Sequence, residues 1–154
     1  LSDANTISGP LFVGEAYGAW KHEIEATPDK MFPRIGDRFR QGKDVSAADF
    51  VAGWQQLERY RLRFKSLTNG FDAVICPTAP ILPPKIDKLF SDDEYYVTEN
   101  LLSLRYTRIA NLMGICAVTL PTGHPSCGVM MLAGAFEEPR LLRLAMGAER
   151  ALGT

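Results

Sequence analysis

The sequence has little that would mark a secreted, membrane-bound or nucleic-acid-binding protein. No apolar run approaches the roughly 20 residues that span a bilayer, and the net charge of -1 gives no attraction for nucleic acid or a membrane surface. The cysteines Cys76, Cys116 and Cys127 are odd in number and lie in apolar runs, which indicates buried thiols in a reducing compartment. We therefore expect a cytoplasmic protein that binds neither nucleic acid nor a membrane.

Motifs for cofactor or metal binding are equally scarce. The sequence has no phosphate-binding loop, no G-x-G-x-x-G after a strand and no C-x-x-C pair. His124 and Cys127 are spaced like a metal-binding pair, but His22 is the only other histidine in the sequence. We therefore expect no cofactor and no bound metal.

Two local features are candidates for a nucleophile. A buried apolar cysteine such as Cys76 is more often inert than reactive. The segment 123–128 contains Ser126 but lacks the G-x-S-x-G pattern, because His124 stands where the first glycine should be. It also precedes a predicted strand, whereas a nucleophile elbow follows one. We interpret this segment as a hairpin turn.

What the sequence does contain is a globular composition, with 46% hydrophobic and 23% charged residues. Apolar side chains at helical spacing predict that residues 1–70 are mostly helical, with Trp20 and Trp54 in the core. The helix boundaries are indicated by a proline that can open a helix, a capping box and two stop signals: Pro10, Ser46 with Asp49, Thr27-Pro28 and Asn69-Gly70.

Residues 71–154 follow a different pattern, which predicts a strand, a helix, a hairpin and a final helix. The expected strands are 71–76, 115–120 and 127–132, and the expected helices are 98–113 and one with Pro139 in its first turn. The link 121–126 is too short for a parallel crossover, so the last two strands must be antiparallel neighbours. Loops are expected at the proline-rich segment 77–84 and the acidic segment 91–94.

Three short strands make a poor free-standing sheet when two of them read as buried on both faces. They need neighbouring strands from elsewhere in a protein. A start at Leu1 in place of methionine fits either processing or a fragment. Together these features predict an α/β fold in which residues 1–154 are a single C-terminal fragment of a larger domain.

Four segments, in order, resemble the C-terminal region of the amidase signature enzymes. Residues 71–80 resemble the family's aspartate, strand and Pro-Thr segment, and residues 107–121 its Thr, Asn and Leu-x-Gly segment before a strand. Residues 128–134 are similar to its Gly-Val-Gln-Leu-x-Gly strand, and residues 137–149 to its closing helix. Each segment is unspecific alone, but the order and spacing of all four identify the chain as a member of this family.

The resemblance implies a mixed central sheet covered by helices, in an enzyme that hydrolyses or transfers carboxylic amides. Family members use a serine nucleophile, a second serine in a cis peptide and a lysine base, all upstream of the matching region. No Gly-Ser-Ser run occurs here, so the resemblance places no catalytic residue on this chain and implies that the N-terminal catalytic part is absent. The implied function is the C-terminal part of a hydrolase that converts a carboxamide or urea-like amide to an acid plus ammonia or an amine. The chain alone is expected to be inactive.

The implied partners are a small-molecule amide substrate and the rest of the enzyme chain, with a homodimer left open. Two alternatives remain: a non-catalytic interaction or scaffold module, and a subunit of an amidotransferase complex. Amidotransferase subunits that use glutamine commonly carry an acidic residue near the position of Leu104, which cannot form an ion pair. Cys116 and Met130 stand where the family has Pro and Gln, and both are interpreted as packing variants.

Five residues are candidates for the substrate pocket. Thr78 and Ala79 follow a strand at its carboxyl end, where open α/β sheets place ligands. Leu104 offers an apolar contact, and Arg108 faces either an acidic group of the substrate or a structural ion-pair partner. Asn111 contacts either the substrate or the backbone of a tight loop.

Overall fold

The computed structural model describes residues 2–153, and the chain divides into two compact units. We call residues 1–62 the helical unit and residues 63–154 the sheet unit; the boundary falls inside one long helix. The structure combines helices with a small antiparallel sheet, which confirms the predicted α/β class. Among the described helices, none combines the length and the apolar character needed to cross a membrane.

Three α-helices dominate the helical unit, the last of which continues into the sheet unit. They are α1 (Ser2–Ala26), α2 (Pro33–Arg40) and α3 (Ala47–Thr68), with short 3₁₀ helices at Pro28–Lys30 and Gln41–Asp44. The predicted capping box at the start of α3 is confirmed. The Ser46 hydroxyl accepts a hydrogen bond from the Asp49 backbone N–H at 3.0 Å and donates to the Asp49 carboxylate at 2.7 Å.

Two expectations for the helical unit are wrong. Pro10 does not open a helix but lies inside α1, which already begins at Ser2. A proline inside a helix removes one backbone hydrogen bond, and α1 continues on both sides of Pro10 despite that loss. Trp20 is not in the core, because 58% of its surface is exposed. Trp54 is half-buried, with its ring edge-to-face with Phe50 at 6.3 Å between centroids.

Close backbone packing and a cluster of surface charges join α1 to the 3₁₀ helix Gln41–Asp44, which follows α2. A Cβ atom added at Gly42 would lie 2.1 Å from the carbonyl oxygen of Val13, so only glycine fits there. The Glu25 carboxylate accepts hydrogen bonds from Arg40 Nε at 3.4 Å and pairs with Lys43 Nζ at 3.0 Å. The turn of 3₁₀ helix at Gly42 therefore lies directly against α1.

A three-stranded antiparallel sheet forms the centre of the sheet unit. Its strands are β1 (Val74–Pro77), β2 (Cys116–Pro121) and β3 (Gly128–Ala133), in the order β1-β3-β2. Residues 116–121 pair with 128–133 in antiparallel register, so the predicted hairpin is confirmed. β1 pairs with the other side of β3, which makes β3 the central strand and the most buried of the three.

Helices cover both faces of this sheet. The remaining helices are α4 (Ile86–Ser91), α5 (Asp93–Ser103), α6 (Thr107–Met113) and α7 (Glu138–Leu152). Leu141 and Ala145 of α7 are buried together with Met131 of β3 on one face. Ala110 of α6 is buried with Met130 of β3 on the opposite face. The sheet unit is thus a layered core of helix, sheet and helix.

The helical predictions between β1 and β2 need correction. The expected continuous helix 98–113 is two helices, α5 and α6, separated by a turn. The Thr107 hydroxyl donates to the carbonyl oxygen of Leu104 at 3.3 Å, and such side-chain bonds to the backbone compete with a continuing helix. The expected acidic loop 91–94 is instead the junction of α4 and α5, where Asp92 caps α5 by accepting from Tyr95 N at 2.9 Å.

Candidate functional site

One face of the sheet carries most of the predicted site, and we call it the Met130 face. Alternation along each strand and the pairing register place nine side-chain positions on it. They are Val74, Cys76 and Thr78 at β1, Ala117, Thr119 and Pro121 in β2, and Gly128, Met130 and Leu132 in β3. Ala110 and Tyr106 pack against its buried end. The face is most open to solvent along β2, where Ala117, Thr119 and Pro121 are exposed, and at Thr78 and Gly128, which are half-buried.

Thr78 and Thr119 meet on this open part of the face. The Thr78 hydroxyl donates to the Thr119 hydroxyl at 3.2 Å, although the two residues lie on strands separated by β3. The position between them is Gly128, whose carbonyl oxygen accepts from the Thr78 backbone N–H at 2.9 Å. A Cβ atom at Gly128 would lie 2.7 Å from Thr78 Oγ1 and 3.0 Å from Thr119 Cγ2. The missing side chain of Gly128 therefore provides the space in which the two hydroxyls meet.

The other predicted site residues lie in the loop after Thr78 and around α6. Ala79 is half-buried in the loop that follows β1. Leu104 is 43% exposed, and its carbonyl oxygen accepts from the Arg108 backbone N–H at 2.9 Å, which opens α6. Arg108 is half-buried, and Asn111 is exposed one turn further along α6. Because α6 packs on the Met130 face, Leu104, Arg108 and Asn111 lie on the same side of the sheet as Thr78.

The three thiols differ in environment, which corrects the prediction that all are buried. Cys76 and Cys116 are half-buried, whereas Cys127 is exposed in the hairpin turn. Burial raises the pKa of the Cys76 thiol, which disfavours the thiolate and therefore a nucleophilic role. The Cys116 thiol donates to the carbonyl oxygen of Gly134 at 3.1 Å, so it acts as a packing group with a weak hydrogen bond.

The segment around His124 is a turn between β2 and β3, as predicted. The Cys127 backbone N–H donates to the carbonyl oxygen of His124 at 3.2 Å, and Ser126 adopts a left-handed φ of 60°. The Thr122 hydroxyl donates to the carbonyl oxygen of Cys127 at 3.2 Å and closes the turn. Within residues 2–153, no group of three or more His, Cys, Asp or Glu side chains is placed to hold a metal ion.

The aspartate in the first family-like segment has a structural explanation. The Asp72 carboxylate, just before β1, forms an ion pair with Arg140 of α7. Arg140 also pairs with Glu137 at 3.1 Å, and these two carboxylates, Glu137 most strongly, raise the pKa of the guanidinium. This bridge ties the start of β1 to the helix that covers the opposite face of the sheet from Thr78.

A separate pocket lies in the helical unit, at the end of α1. Its volume is about 250 Å³, and apolar side chains line most of it. The lining residues are Trp20, Glu23, Ile24, Thr27, Lys30, Met31 and Phe39. None of the five predicted site residues belongs to it.

Sequence reasoning missed Thr119 as a site residue. The only signal was a single hydroxyl in the otherwise apolar run 115–120, which is a weak one. Its partner Thr78 is 41 residues away in sequence, and no local pattern shows that the two meet. Gly128 belongs to the candidate segment 123–128 and to a family-like segment, but neither pattern indicates its role, since its need for open space follows from the packing of β1 and β2 around it.

Comparison with known proteins gives the family. The model of the Amidase family matches residues 19–142. The 2-amino-5-chloromuconic acid deaminase of Comamonas testosteroni is 29% identical over 136 residues, which is 86% of this chain and 28% of that protein. A Glutamyl-tRNA(Gln) amidotransferase subunit of Clostridium botulinum is 29% identical over 90% of this chain and 31% of its own length.

A solved structure shares the fold of this chain. The allophanate hydrolase of Kluyveromyces lactis superposes with a TM-score of 0.77 at 20% identity, over 94% of this chain and 24% of that one. The chain therefore spans less than a third of the length of each of these proteins. Because the family model covers well over half of the residues, the chain belongs to the amidase signature family.

Proposed function

We propose that this chain is the C-terminal part of an amide-bond hydrolase, which converts a carboxamide or urea-like amide to an acid plus ammonia or an amine. The observation that carries the proposal is the family match over residues 19–142. The fold it shares with an allophanate hydrolase and its similarity to a 2-amino-5-chloromuconic acid deaminase support a small-molecule substrate.

The proposed chemistry is acyl transfer through a serine. A serine oxygen attacks the amide carbonyl, the C–N bond breaks as the leaving nitrogen takes up a proton, and water then hydrolyses the acyl-serine ester. By the family resemblance, the nucleophile, the second serine in a cis peptide and the lysine base belong to a part of the enzyme that precedes this chain. Residues 1–154 would then supply strands, core and one wall of the pocket, and would be inactive alone.

The pocket wall is proposed to run along the open part of the Met130 face. Thr78 and Ala79 would line it from the sheet, and Leu104, Arg108 and Asn111 would approach from the α5–α6 segment. The packing of α6 on that face, through Ala110, supports the placement of all five residues on one side of the sheet, with Ala110 itself at the buried end. Leu104 favours an uncharged part of the substrate, whereas Arg108 favours a substrate that carries an acidic group.

A second candidate function is that of an amidotransferase subunit, which would act within a complex. The observation that favours it is the similarity to several Glutamyl-tRNA(Gln) amidotransferase subunits, among them that of Clostridium botulinum. The apolar Leu104 weighs against it, since it cannot pair with the amino group of glutamine. For either function we propose a cytoplasmic protein whose partners are the rest of its own enzyme chain and, as an open alternative, a second copy.

The test is ammonia release by the complete enzyme, in which this chain is joined to the polypeptide that precedes it. We expect release from simple primary carboxamides or urea-like amides, with no second protein and no acceptor substrate. Release from glutamine alone, and only with partner subunits present, would instead identify the amidotransferase. A complete enzyme that hydrolyses no amide at all would leave the non-catalytic scaffold module as the explanation.

A further inference from the structure

We propose that Thr78 and Thr119 form a hydroxyl pair that binds a carboxamide or urea group, with Thr119 as a substrate-binding residue in addition to the five predicted ones. The inference rests on the proposed function and adds a residue and a ligand chemistry to it. It starts from the 3.2 Å contact between the two hydroxyls over Gly128.

The two hydroxyls offer complementary hydrogen-bonding groups. Each threonine hydroxyl has one donor and two acceptor lone pairs. The bond between Thr78 and Thr119 uses one donor and one acceptor, so the pair still offers one O–H donor and free lone pairs on both oxygens. This count is the same whichever of the two hydroxyls donates, a choice that the positions of the heavy atoms do not fix.

That remaining set matches an amide group. A primary carboxamide or a urea presents a carbonyl oxygen that accepts and an N–H that donates, side by side. The carbonyl can accept from the free O–H of the pair, while the N–H donates to the neighbouring hydroxyl oxygen. A carboxylate product offers no N–H donor, so the pair favours the amide over the acid that remains after hydrolysis.

The surroundings of the pair fit a binding role better than a purely structural one. Within residues 2–153, Thr119 is exposed and Thr78 is half-buried, so this part of the enzyme leaves the pair open to a ligand. The backbone already joins the strands here, through the Thr78 N–H and the Gly128 carbonyl and through the pairing of Pro121 with Gly128. A hydroxyl contact is therefore not needed to hold the sheet together. Thr78 also directly precedes Ala79 in the proposed pocket wall.

Thr119→Val in the complete enzyme tests the proposal, because valine keeps the shape and removes the hydroxyl. With the primary carboxamide that the wild-type enzyme hydrolyses best, we expect KM to rise about 10-fold, since the net free energy of one hydrogen bond corresponds to roughly that factor. We expect kcat to change less than about 2-fold, because the lost bond is one of binding. Thr119→Ser keeps the hydroxyl and should restore KM. Thr78→Val should raise KM similarly, and the double variant should be little worse than either single one, because the hydroxyls act together.

Thr122→Val is the matched control. Its hydroxyl lies in the same hairpin but closes the turn by donating to Cys127, so KM should stay at the wild-type value. An unchanged KM in Thr119→Val, or a failure of Thr119→Ser to restore it, would overturn the proposal.

Binding measurements separate this inference from the proposed function. If the wild-type enzyme hydrolyses no amide, the proposed function fails. Calorimetric titration of wild type and Thr119→Val with benzamide then shows whether the hydroxyl pair binds an amide. Binding to wild type that weakens about 10-fold in Thr119→Val supports the hydroxyl pair. Equal binding by both proteins, or none by wild type, overturns it.

Discussion

The helical unit and the sheet unit both bury apolar side chains, but the helical unit adds a close backbone contact that positions its first helix. In the helical unit, α1 contacts the 3₁₀ helix after α2 through the close approach at Gly42 and through surface charges around Glu25. In the sheet unit, α6 and α7 bury apolar side chains on opposite faces of β3. The ion bridge from Arg140 to Asp72 adds to the buried contacts there and does not replace them.

This difference explains why the sheet unit is the easier of the two to identify from sequence. Its fold requires particular residues at particular places, such as Gly114 with a φ of 64° after α6 and Gly128 beneath two side chains. Such requirements leave spaced motifs. The helical unit has one such position, Gly42, and otherwise depends on apolar spacing that many helices share. The family model nevertheless begins at residue 19 and so includes part of this unit.

The largest effect is expected from Leu141→Ala in α7. Leu141 is only 2% exposed and is buried with Met131, so its loss should lower the free energy of unfolding of the sheet unit by about 3–4 kcal/mol. Leu142→Ala is the control, because Leu142 is 56% exposed and its loss should cost less than about 0.5 kcal/mol. Native-state hydrogen exchange on the complete protein measures both. Equal effects of the two changes would mean that α7 does not cover the sheet as described.

A smaller effect is expected from Gly42→Ala in the helical unit. The new methyl group would meet the Val13 carbonyl at 2.1 Å and the Tyr17 Cβ at 2.6 Å, which should cost about 2–3 kcal/mol. Gly18→Ala in α1 is the control, since no atom lies within 4 Å of an added Cβ, and it should stabilise α1 by about 0.5–1 kcal/mol. Exchange should rise across α1 and the segment after α2 only. Comparable loss of protection in both variants would rule out the close contact.

The smallest effect is expected from pH, and again in the helical unit. The hydrogen bond from Lys43, aided by Arg40, lowers the pKa of Glu25 below its ordinary value of 4.5. A lowered carboxylate pKa stabilises the folded state above the ordinary pKa, and this stabilisation is lost as pH falls through the lowered value. The protection factors at the end of α1, which correct for the intrinsic pH dependence of amide exchange, should therefore decrease as the pH falls from about 5 to about 3.

Two substitutions isolate the contribution of Glu25. Glu25→Gln should remove this part of the pH dependence, whereas Glu23→Gln should keep it, because Glu23 lies near His22 and not near Lys43. Raising the ionic strength should weaken the effect, since the pairs are at the surface. An identical pH profile for Glu25→Gln and wild type would exclude the charge cluster as its source.

A structural feature could be predicted from the sequence when the contacts that determine it are between residues close together in the chain. The capping box at Ser46, the helix end at residue 113 and the β2–β3 hairpin depend on neighbouring residues, and all three were predicted. The break between α5 and α6 was missed because no glycine or proline marks it, and Thr107 bonds the backbone there instead. The exposure of Trp20 was missed because periodicity gives a helix its apolar side but not what covers that side.

The candidate site divides in the same way. Thr78 and Ala79 could be named because a loop after a strand is a local feature with a known tendency to bind ligands. Thr119 could not, since its meeting with Thr78 depends on strand order and on the open space at Gly128. The proposed serines and lysine have no counterpart among the motifs of these 154 residues, so the chemistry itself has to be sought outside them.

The most direct test of the proposed division of the enzyme compares ammonia release by the 154-residue chain alone with release by the same chain joined to the polypeptide that precedes it. Both proteins would be given the same panel of primary carboxamides at equal concentration. We predict turnover by the joined protein and none by the chain alone, because the proposed nucleophile and base would belong to the preceding part. Steady turnover by the chain alone, at a rate that scales with its concentration, would contradict this division.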